Sequence, residues 1–166
     1  MQILSVTIAA LALLAIAGGL YIRLAPSDPG VWHIDPREGA SGPGSALAGQ
    51  DGALTYAESA QALLERIDAI AMATARTKRL AGSPSEGRIT YVTRSALFGF
   101  PDYTTVAAQP LSDDRAELVI FARLRFGQSD LGVNRARVAK WVSRLGTPLR
   151  LAEHLDPEAH SRKDVA

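Results

Sequence analysis

Residues 117–145 read ELVIFARLRFGQSDLGVNRARVAKWVSRL, and this stretch decides the fold. It predicts a strand, longer than its neighbours, then a polar loop and an amphipathic helix. Side chains along a strand project alternately to opposite faces. One face is uniformly apolar and is expected to pack on helices: Leu118, Ile120, Ala122 and Leu124. The other face begins apolar and ends with Arg123 and Arg125, which lie about 7 Å apart along a strand.

The helix is expected from Arg135 to about Leu145, with Asn134 as its N-cap and with Gly146 and Pro148 ending it. Its apolar residues recur with the spacing i, i+3, i+4 and i+7, which predicts one buried face. These residues are Val138, Trp141, Val142 and Leu145. The remaining surface carries cations: Arg135, Arg137, Lys140 and Arg144.

Upstream, a second helix is predicted from Thr55 to about Thr74. Thr55 is a good N-cap, and Glu58 completes a capping-box pattern. The next stretch, 76–83, reads RTKRLAGS and is interpreted as a loop. Its three cations, near backbone donors, are suited to a phosphate or sulfate ion. The alternative is a basic helix end that interacts with its own carbonyl groups.

Two further strands are expected between these helices. Residues 88–95 alternate and are rich in β-branched side chains, and 103–108 resume the pattern after an interruption at Pro101. Ser112, Asp113 and Asp114 form a turn before the third strand. The predicted fold is therefore α+β, a small antiparallel sheet packed against two or more helices.

Residues 1–24 are predicted to form a transmembrane helix. No charge occurs from Ile3 to Ile22, and twenty helical residues span about 30 Å, the thickness of a bilayer's hydrocarbon core. Tyr21 and Arg23 close the segment with an interfacial aromatic ring and a cation. A single retained span is the favoured interpretation.

A cleaved signal peptide is the alternative, with Ala15 and Ala17 as a small-residue cleavage site, although no basic region precedes the apolar run. Ala15 and Gly19 also form a small-xxx-small pair that could pack against another helix. Arg23 and Arg37 follow the span and weakly favour a cytoplasmic domain. Acidic residues lie among them, so the residues themselves leave the orientation open.

Residues 25–52 are predicted to be a linker, because prolines and glycines interrupt any regular structure there. The composition indicates an extended, mostly exposed tether. Trp32 and His33 stand out within it. A tryptophan just beyond a span commonly lies at the headgroup level. The sharper hypothesis is that residues 32–35 dock on the domain or on a partner. Residues 53–148 are predicted to form the α+β domain, and 149–166 a polar tail.

Composition restricts the chemistry. Cysteine is absent, which excludes disulfides, thiolate catalysis and cysteine-based zinc sites. Histidine is scarce: His33, His154 and His160 all lie outside the predicted core. Neither a metal nor a cofactor is expected. Twelve Lys/Arg against six Asp/Glu occur from Arg76 to Arg144, which favours an anionic partner or a solvated basic face.

Two stretches carry a family resemblance: RLRFGQSDLGVNRARV at 123–138 and SALFGFPDYTTV at 95–106. Through them the chain resembles domain-of-unknown-function family 1499 over roughly residues 53–146. Members of that family occur in bacteria and photosynthetic organelles, often with a membrane or export segment. The resemblance therefore implies a bacterial inner-membrane protein whose domain lies in the periplasm. The chain lacks the cysteine that many members have near the domain start, and the family has no agreed activity.

Enzymatic readings have little support in the sequence. A hydrolytic triad from Ser129 and Asp130 lacks a histidine in the core. A carboxylate pair for glycoside chemistry would need Asp102 and Asp130, and nothing in the sequence indicates that they are close. No phosphate-binding glycine loop is present. No catalytic residue is assigned, and a non-catalytic protein is the favoured expectation.

Two functions remain. In the first, the protein is an accessory subunit of an inner-membrane complex, with its span and tether laid along other membrane subunits and with Ala15, Gly19, Trp32 and His33 as contacts. In the second, an arginine cluster binds a small anion or lipid headgroup. Its candidate residues are Arg94, Arg123, Arg125, Asp130, Asn134 and Arg137. The same residues could instead form a structural network. The lipid bilayer is the expected partner in both cases, and nucleic acid is not expected.

Overall fold

A computed structural model describes residues 2–149, except the side chain of Asp51. The helices are α1 (Gln2–Leu24), α2 (Pro29–Trp32), α3 (Ala60–Met72) and α4 (Val133–Leu145). The strands are β1 (Ser45–Ala48), β2 (Thr55–Tyr56), β3 (Thr77–Ser83), β4 (Arg88–Arg94), β5 (Pro101–Ser112) and β6 (Arg115–Leu124). Short 3-10 turns cover Pro36–Glu38, Gln50–Gly52 and Pro84–Glu86. Most of the predicted tail, from residue 150 onward, lies outside the described residues.

The strands form one antiparallel sheet in the order β1-β6-β5-β4-β3, with β2 also paired to β6. Helices α3 and α4 cover one face, which we call the inner face. The predicted α+β class, with an antiparallel sheet packed against helices, is confirmed.

The core lies between the inner face and the two helices. Leu118 and Ile120 of β6 are fully buried there, as the alternation predicts. The Trp141 ring of α4 meets Tyr91 edge-on at 5.6 Å, and its indole N–H donates to Thr74 Oγ1 at 2.9 Å. A buried tryptophan needs such a partner for its polar atom. The predicted helix face therefore forms the centre of the core.

The predicted start of the first domain helix at Thr55 is wrong. Thr55 and Tyr56 instead form β2 and pair with β6, and α3 begins five residues later. Ser59 is the actual cap, because its hydroxyl accepts from the Ala62 N–H at 3.2 Å. Pairing with a long strand outweighed the local capping-box pattern, since propensity is a weak determinant beside tertiary contact.

The predicted loop at residues 76–83 is also wrong, because Thr77–Ser83 form β3. This strand lies at the edge of the sheet and exposes Lys78 and Arg79. Charged residues are common on edge strands, where they prevent association with other sheets. Those charges made the strand resemble a loop. The third predicted strand, β6, has 10 residues and is shorter than β5, which has 12.

The amino-terminal helix α1 has 23 residues, and none of them is buried. It is long and apolar enough to cross a membrane. A signal sequence would share these properties. Its last turn meets the domain: the Tyr21 and Phe126 rings lie 6.2 Å apart, edge to face.

The linker contains more regular structure than predicted. Asp28 caps the short helix α2 by accepting from the Gly30 N–H at 2.8 Å. Residues 45–48 form β1, which pairs with β6. The prediction of a stretch without regular structure from 25 to 52 is therefore wrong in these parts. The stretch is also less exposed than expected, since Trp32 and His33 are half-buried.

Candidate functional site

The linker lies on the outer face of the sheet, opposite α3 and α4. The Trp32 ring stacks on Tyr103 with centroids 3.8 Å apart and an angle of 11° between the planes. Tyr103 stands on β5 directly across from Arg123 of β6. Of the two docking alternatives for residues 32–35, the structure has the contact with the chain's own domain.

Arg123 packs over the Trp32 ring of this stacked pair. Its guanidinium lies 4.9 Å from the Trp32 ring centroid, and Nη2 donates to the Trp32 carbonyl oxygen at 3.0 Å. Burial lowers the pKa of Arg123, while Tyr103 opposes the shift. A guanidinium stacked on an aromatic ring and bonded to a carbonyl is a typical cation–π anchor. Arg123 therefore points toward the linker.

Arg125 also contacts the linker. Its Nη1 donates to the Pro26 carbonyl oxygen at 2.6 Å and to the Tyr103 hydroxyl at 3.2 Å. Ser27 Oγ also shares a hydrogen bond with that hydroxyl, at 2.8 Å. We call Trp32, Tyr103, Arg123 and Arg125 the linker clamp.

His33 continues the docked segment. Arg88 Nε donates to His33 Nε2 at 3.2 Å, so Nδ1 carries the proton and donates to Thr90 Oγ1 at 2.8 Å. Burial lowers the pKa of His33, and the nearby Arg88 charge lowers it further, against a smaller opposite effect of Glu86. The docked imidazole is thus the neutral form.

Asp130 caps α4 from the loop that follows the carboxyl end of β6. Its carboxylate accepts from the backbone N–H of Gly132 at 3.0 Å and of Asn134 at 2.6 Å. The prediction that Asn134 is the N-cap is wrong, because Gly132 occupies that position with a φ of 85°. A carboxylate at a helix amino terminus satisfies unpaired donors and complements the helix dipole.

Asn134, the second residue of α4, is fully buried. Its Nδ2 donates to the Gly44 carbonyl oxygen at 3.1 Å, and its Oδ1 accepts from Arg137 Nη2. Gly44 has a φ of 77°, and a Cβ there would lie 1.8 Å from a Leu124 methyl group. Asn134 therefore ties α4 to the chain just before β1.

Arg137 is the third member of this network. It lies 3.6 Å from the Asp102 carboxylate, and its side chain is only 8% exposed. Its Nε has no hydrogen-bond partner. Burial lowers the pKa of Arg137 and raises that of Asp102, and Asp130 adds to the rise at Asp102. Both shifts indicate an ion pair whose desolvation is not fully compensated.

A cleft of about 640 Å³ opens beside this pair, between the carboxyl ends of α3 and β4 and the side of α4. Five cations line this cleft, which we call the basic cleft: Arg76, Arg94, Arg137, Lys140 and Arg144. Asp102 is the single carboxylate among its lining residues. Within residues 2–149, no carboxylate lies within ion-pair distance of Arg94, Lys140 or Arg144.

Arg76 and Arg94 form one wall of the basic cleft. Arg76 Nε donates to the Arg94 carbonyl oxygen at 3.1 Å, and Arg94 Nη1 donates to the Gly99 carbonyl oxygen at 2.9 Å. Arg76 has a φ of 59°, which a non-glycine residue adopts at a cost of about 1 kcal/mol or more. Such strain is typical of positions held for function.

A second depression, of about 400 Å³, lies on the other side of this wall. Arg23 at the end of α1 and Lys78 of β3 line it together with Arg76 and Arg94. The two depressions together present seven cations and one carboxylate. We call the second one the span-side pocket.

Another depression, of about 720 Å³, lies between β1 and α4. It is mostly apolar, and Arg135 is the single charged residue in its lining. Although this depression is larger than the basic cleft, few charged side chains line it. Among the described residues, no group of three or more histidines or carboxylates is placed to hold a metal ion.

The structure divides the predicted arginine cluster between two faces. Arg94 and Arg137 line the basic cleft, whereas Arg123 and Arg125 belong to the linker clamp. Asp130 and Asn134 lie behind Arg137 and support α4. The sequence signals for the other cleft cations were the basic run at 76–79 and the charged face of α4. Ala15 and Gly19 are exposed on α1.

A sequence profile of one family, described as a protein of unknown function (DUF1499), matches residues 45–145. That match covers more than half of the 166 residues. The chain belongs to DUF1499. The DUF1499 match includes β1 and ends with α4, so both the basic cleft and the outer face of the sheet lie within it. No curated protein matches the sequence.

Three solved structures match the chain at low sequence identity and with TM-scores below 0.5. The di-domain ARO/CYC protein BexL of the BE-7585A biosynthetic pathway is 14% identical, with a TM-score of 0.43 over 61% of this chain and 43% of its own. A protein from Thermobifida fusca is 11% identical, with a TM-score of 0.29 over 63% of this chain and 95% of its own. The Zhui aromatase/cyclase from Streptomyces sp. R1128 is 12% identical, with a TM-score of 0.28 over 61% of this chain and 84% of its own.

Proposed function

We propose that this DUF1499 protein is a membrane-anchored binding module whose basic cleft holds a phosphate-bearing anion. The observation that carries the proposal is Arg137, a nine-tenths buried arginine with an unpartnered Nε beside four other cleft cations. Burying a charged group with an unsatisfied donor is costly. An anion in the cleft would balance the charge of Arg137 and of the four other cations that line it.

Arginine suits this role because its planar fork matches two oxygens of a phosphate group. Charge-assisted hydrogen bonds of this kind each contribute about 1.5–3 kcal/mol. The volume of about 640 Å³ exceeds that of a bare ion and accommodates a headgroup-sized molecule. Ser95 also lines the cleft and carries a hydroxyl group that can donate to a ligand.

The position of the cleft favours a ligand at the membrane surface. Arg94 separates the cleft from the span-side pocket, where Arg23 marks the end of α1. A retained span would hold both sites at headgroup level, where the phosphate groups of anionic lipids attract basic side chains. We therefore take α1 as a retained anchor and place the protein in the bacterial inner membrane with a periplasmic domain, as the family resemblance implies.

The accessory-subunit role stays a prediction. Its main support was a free tether available to partner subunits. That tether is packed on the chain's own sheet through Trp32 and Arg123. The anion-binding role has the stronger physical basis of the two.

The test is ligand binding by the full chain in mild detergent. Inorganic phosphate and phosphatidylglycerol, with acetate as a comparison anion, are screened by thermal shift and native mass spectrometry. Arg144→Gln should weaken phosphate binding, because Arg144 lines the cleft. Arg135→Gln is the matched control, because Arg135 lies on the same helix outside the cleft lining.

Binding of inorganic phosphate and phosphatidylglycerol together would indicate that the phosphate group is recognised. Binding of the lipid alone would assign the site to an intact headgroup. An absence of any shift with either compound, or an equal loss in both variants, would refute the proposal.

A further inference from the structure

Three large apolar side chains are exposed in two loops at one end of the domain. Leu97 and Phe98, between β4 and β5, are 77% and 60% exposed, and Leu131, between β6 and α4, is 96% exposed. Soluble surfaces rarely group such residues without a partner. The two loops lie at the same end of the sheet, because β4 ends, β5 begins and β6 ends there.

The end of α1 meets both loops. The Tyr21 ring contacts Phe126 in the second loop at 6.2 Å. The Arg23 side chain lies against Gly99 in the first loop, where a Cβ would sit 3.3 Å from Nη1. The exposed apolar residues therefore stand beside the point where a retained span would leave the bilayer.

Leu131 is unusual for a leucine in both its exposure and its backbone conformation. It is almost fully exposed, and its φ of 53° lies in the left-handed region that leucine avoids. A glycine or asparagine would fit this backbone without strain. A leucine kept in such a position indicates that its side chain contacts something absent from the folded domain alone.

We propose that residues 96–98 and Leu131 form a membrane-docking surface that inserts its apolar side chains into the bilayer beside α1. Arg23, Lys78 and Arg94 surround the span-side pocket at this end and would meet anionic headgroups. The proposal rests on the retained span of the proposed function, but not on anion binding in the basic cleft. Docking would open the span-side pocket toward the lipid surface.

The natural absence of cysteine permits single-cysteine labelling of the full chain. Phe98→Cys and Leu131→Cys carry an environment-sensitive NBD label in phosphatidylcholine–phosphatidylglycerol vesicles. Leu111→Cys is the matched control, because Leu111 is 56% exposed in the β5–β6 hairpin at the far end of the sheet. Labels at 98 and 131 should emit at shorter wavelength, react several-fold more slowly with aqueous dithionite and be quenched by spin-labelled lipids. The label at 111 should show none of these effects.

Equal dithionite reaction at all three positions would overturn the proposal. So would protection without quenching by the lipids, which would indicate a protein partner. Flotation of the labelled chain with the vesicles shows separately whether the span anchors the chain in the bilayer. Phosphate binding is measured on the same samples. In Leu131→Asn the backbone strain is relieved, so the variant should melt at higher temperature in detergent and expose the label at 98 to dithionite. A label at 98 as protected as in the parent chain would count against insertion of Leu131.

Discussion

The linker clamp and the basic cleft place the same residue type in different surroundings. In the clamp, Arg123 and Arg125 direct their donors to carbonyl oxygens of the linker, 3.0 Å and 2.6 Å away. In the cleft, Arg94, Lys140 and Arg144 line an open space with no carboxylate in the described residues to neutralise them. The clamp arginines bond to carbonyl groups of the linker, whereas Lys140 and Arg144 have no ion-pair partner among the described residues.

The comparison shows that clustering of arginines along the sequence does not define a site. Arg123, Arg125 and Arg137 lie within one stretch of 15 residues, yet the strand and helix send them to different faces. Strand alternation turned Arg123 and Arg125 to the outer face, while the helix carried Arg137 to the end of the inner layer. The direction of each donor, and what it already bonds, separates stabilising arginines from those available for binding.

The largest effect is expected for Trp32→Ala, which removes the centre of the linker clamp. The stacking on Tyr103 and the cation–π contact with Arg123 are both lost. Unfolding free energy should fall by about 2 kcal/mol, measured by denaturant titration of the full chain in detergent. Phosphate affinity should stay unchanged. Val31→Ala, at a neighbouring exposed position, is the control.

A Trp32→Ala variant as stable as Val31→Ala would mean that the linker is not docked in solution. A parallel loss of phosphate binding would mean that the linker clamp and the basic cleft are one site. Either result would remove the distinction between the two regions.

Asp102→Asn, in the basic cleft, is expected to strengthen phosphate binding. Removing this carboxylate eliminates repulsion of the ligand and frees Arg137, whose ion pair with Asp102 measures 3.6 Å. Phosphate affinity should rise about tenfold, which corresponds to about 1.4 kcal/mol. Isothermal titration calorimetry measures it. Asp68→Asn is the control, because Asp68 pairs with Arg79 away from the cleft. Unchanged or weaker binding in Asp102→Asn would show that Asp102 only supports structure.

The smallest effect is a pH dependence of linker docking through His33. Burial lowers its pKa below 6.5, so the stabilisation is complete above that pH and is lost as the pH falls through the folded value. Arg88, Glu86 and Thr90 face the ring. Proteolysis within residues 25–44 should accelerate below pH 6.5 in the parent chain. His33→Gln should cleave at a rate that varies less over the same range, and identical pH profiles would exclude His33 as the cause.

The sequence was sufficient for the elements whose pattern is local. Alternation in β6 placed Leu118 and Ile120 in the core, and helical spacing identified Trp141 as its centre. Patterns failed where a distant partner decided the outcome. Thr55 entered a strand because β6 was available to pair with it, and charged β3 became an edge strand beside β4.

The candidate site was predicted less completely for the same reason. Docking of Trp32 on Tyr103 joins positions far apart in the chain, and no local periodicity reports it. The basic cleft joins a strand start, a strand end and a helix face, so its cations appeared in the sequence as separate runs. Asp130 caps α4 in place of Asn134, because its carboxylate reaches the backbone N–H groups of Gly132 and Asn134.

The most direct test compares Arg94→Gln with Arg123→Gln in the full chain, with phosphate affinity and unfolding free energy measured on both. Arg94→Gln should weaken phosphate binding about tenfold and cost at most about 1 kcal/mol of stability. Arg123→Gln should lower stability by about 1–2 kcal/mol and leave phosphate affinity unchanged. If Arg123→Gln weakens phosphate binding as much as Arg94→Gln, the two regions are not separate and the account is wrong.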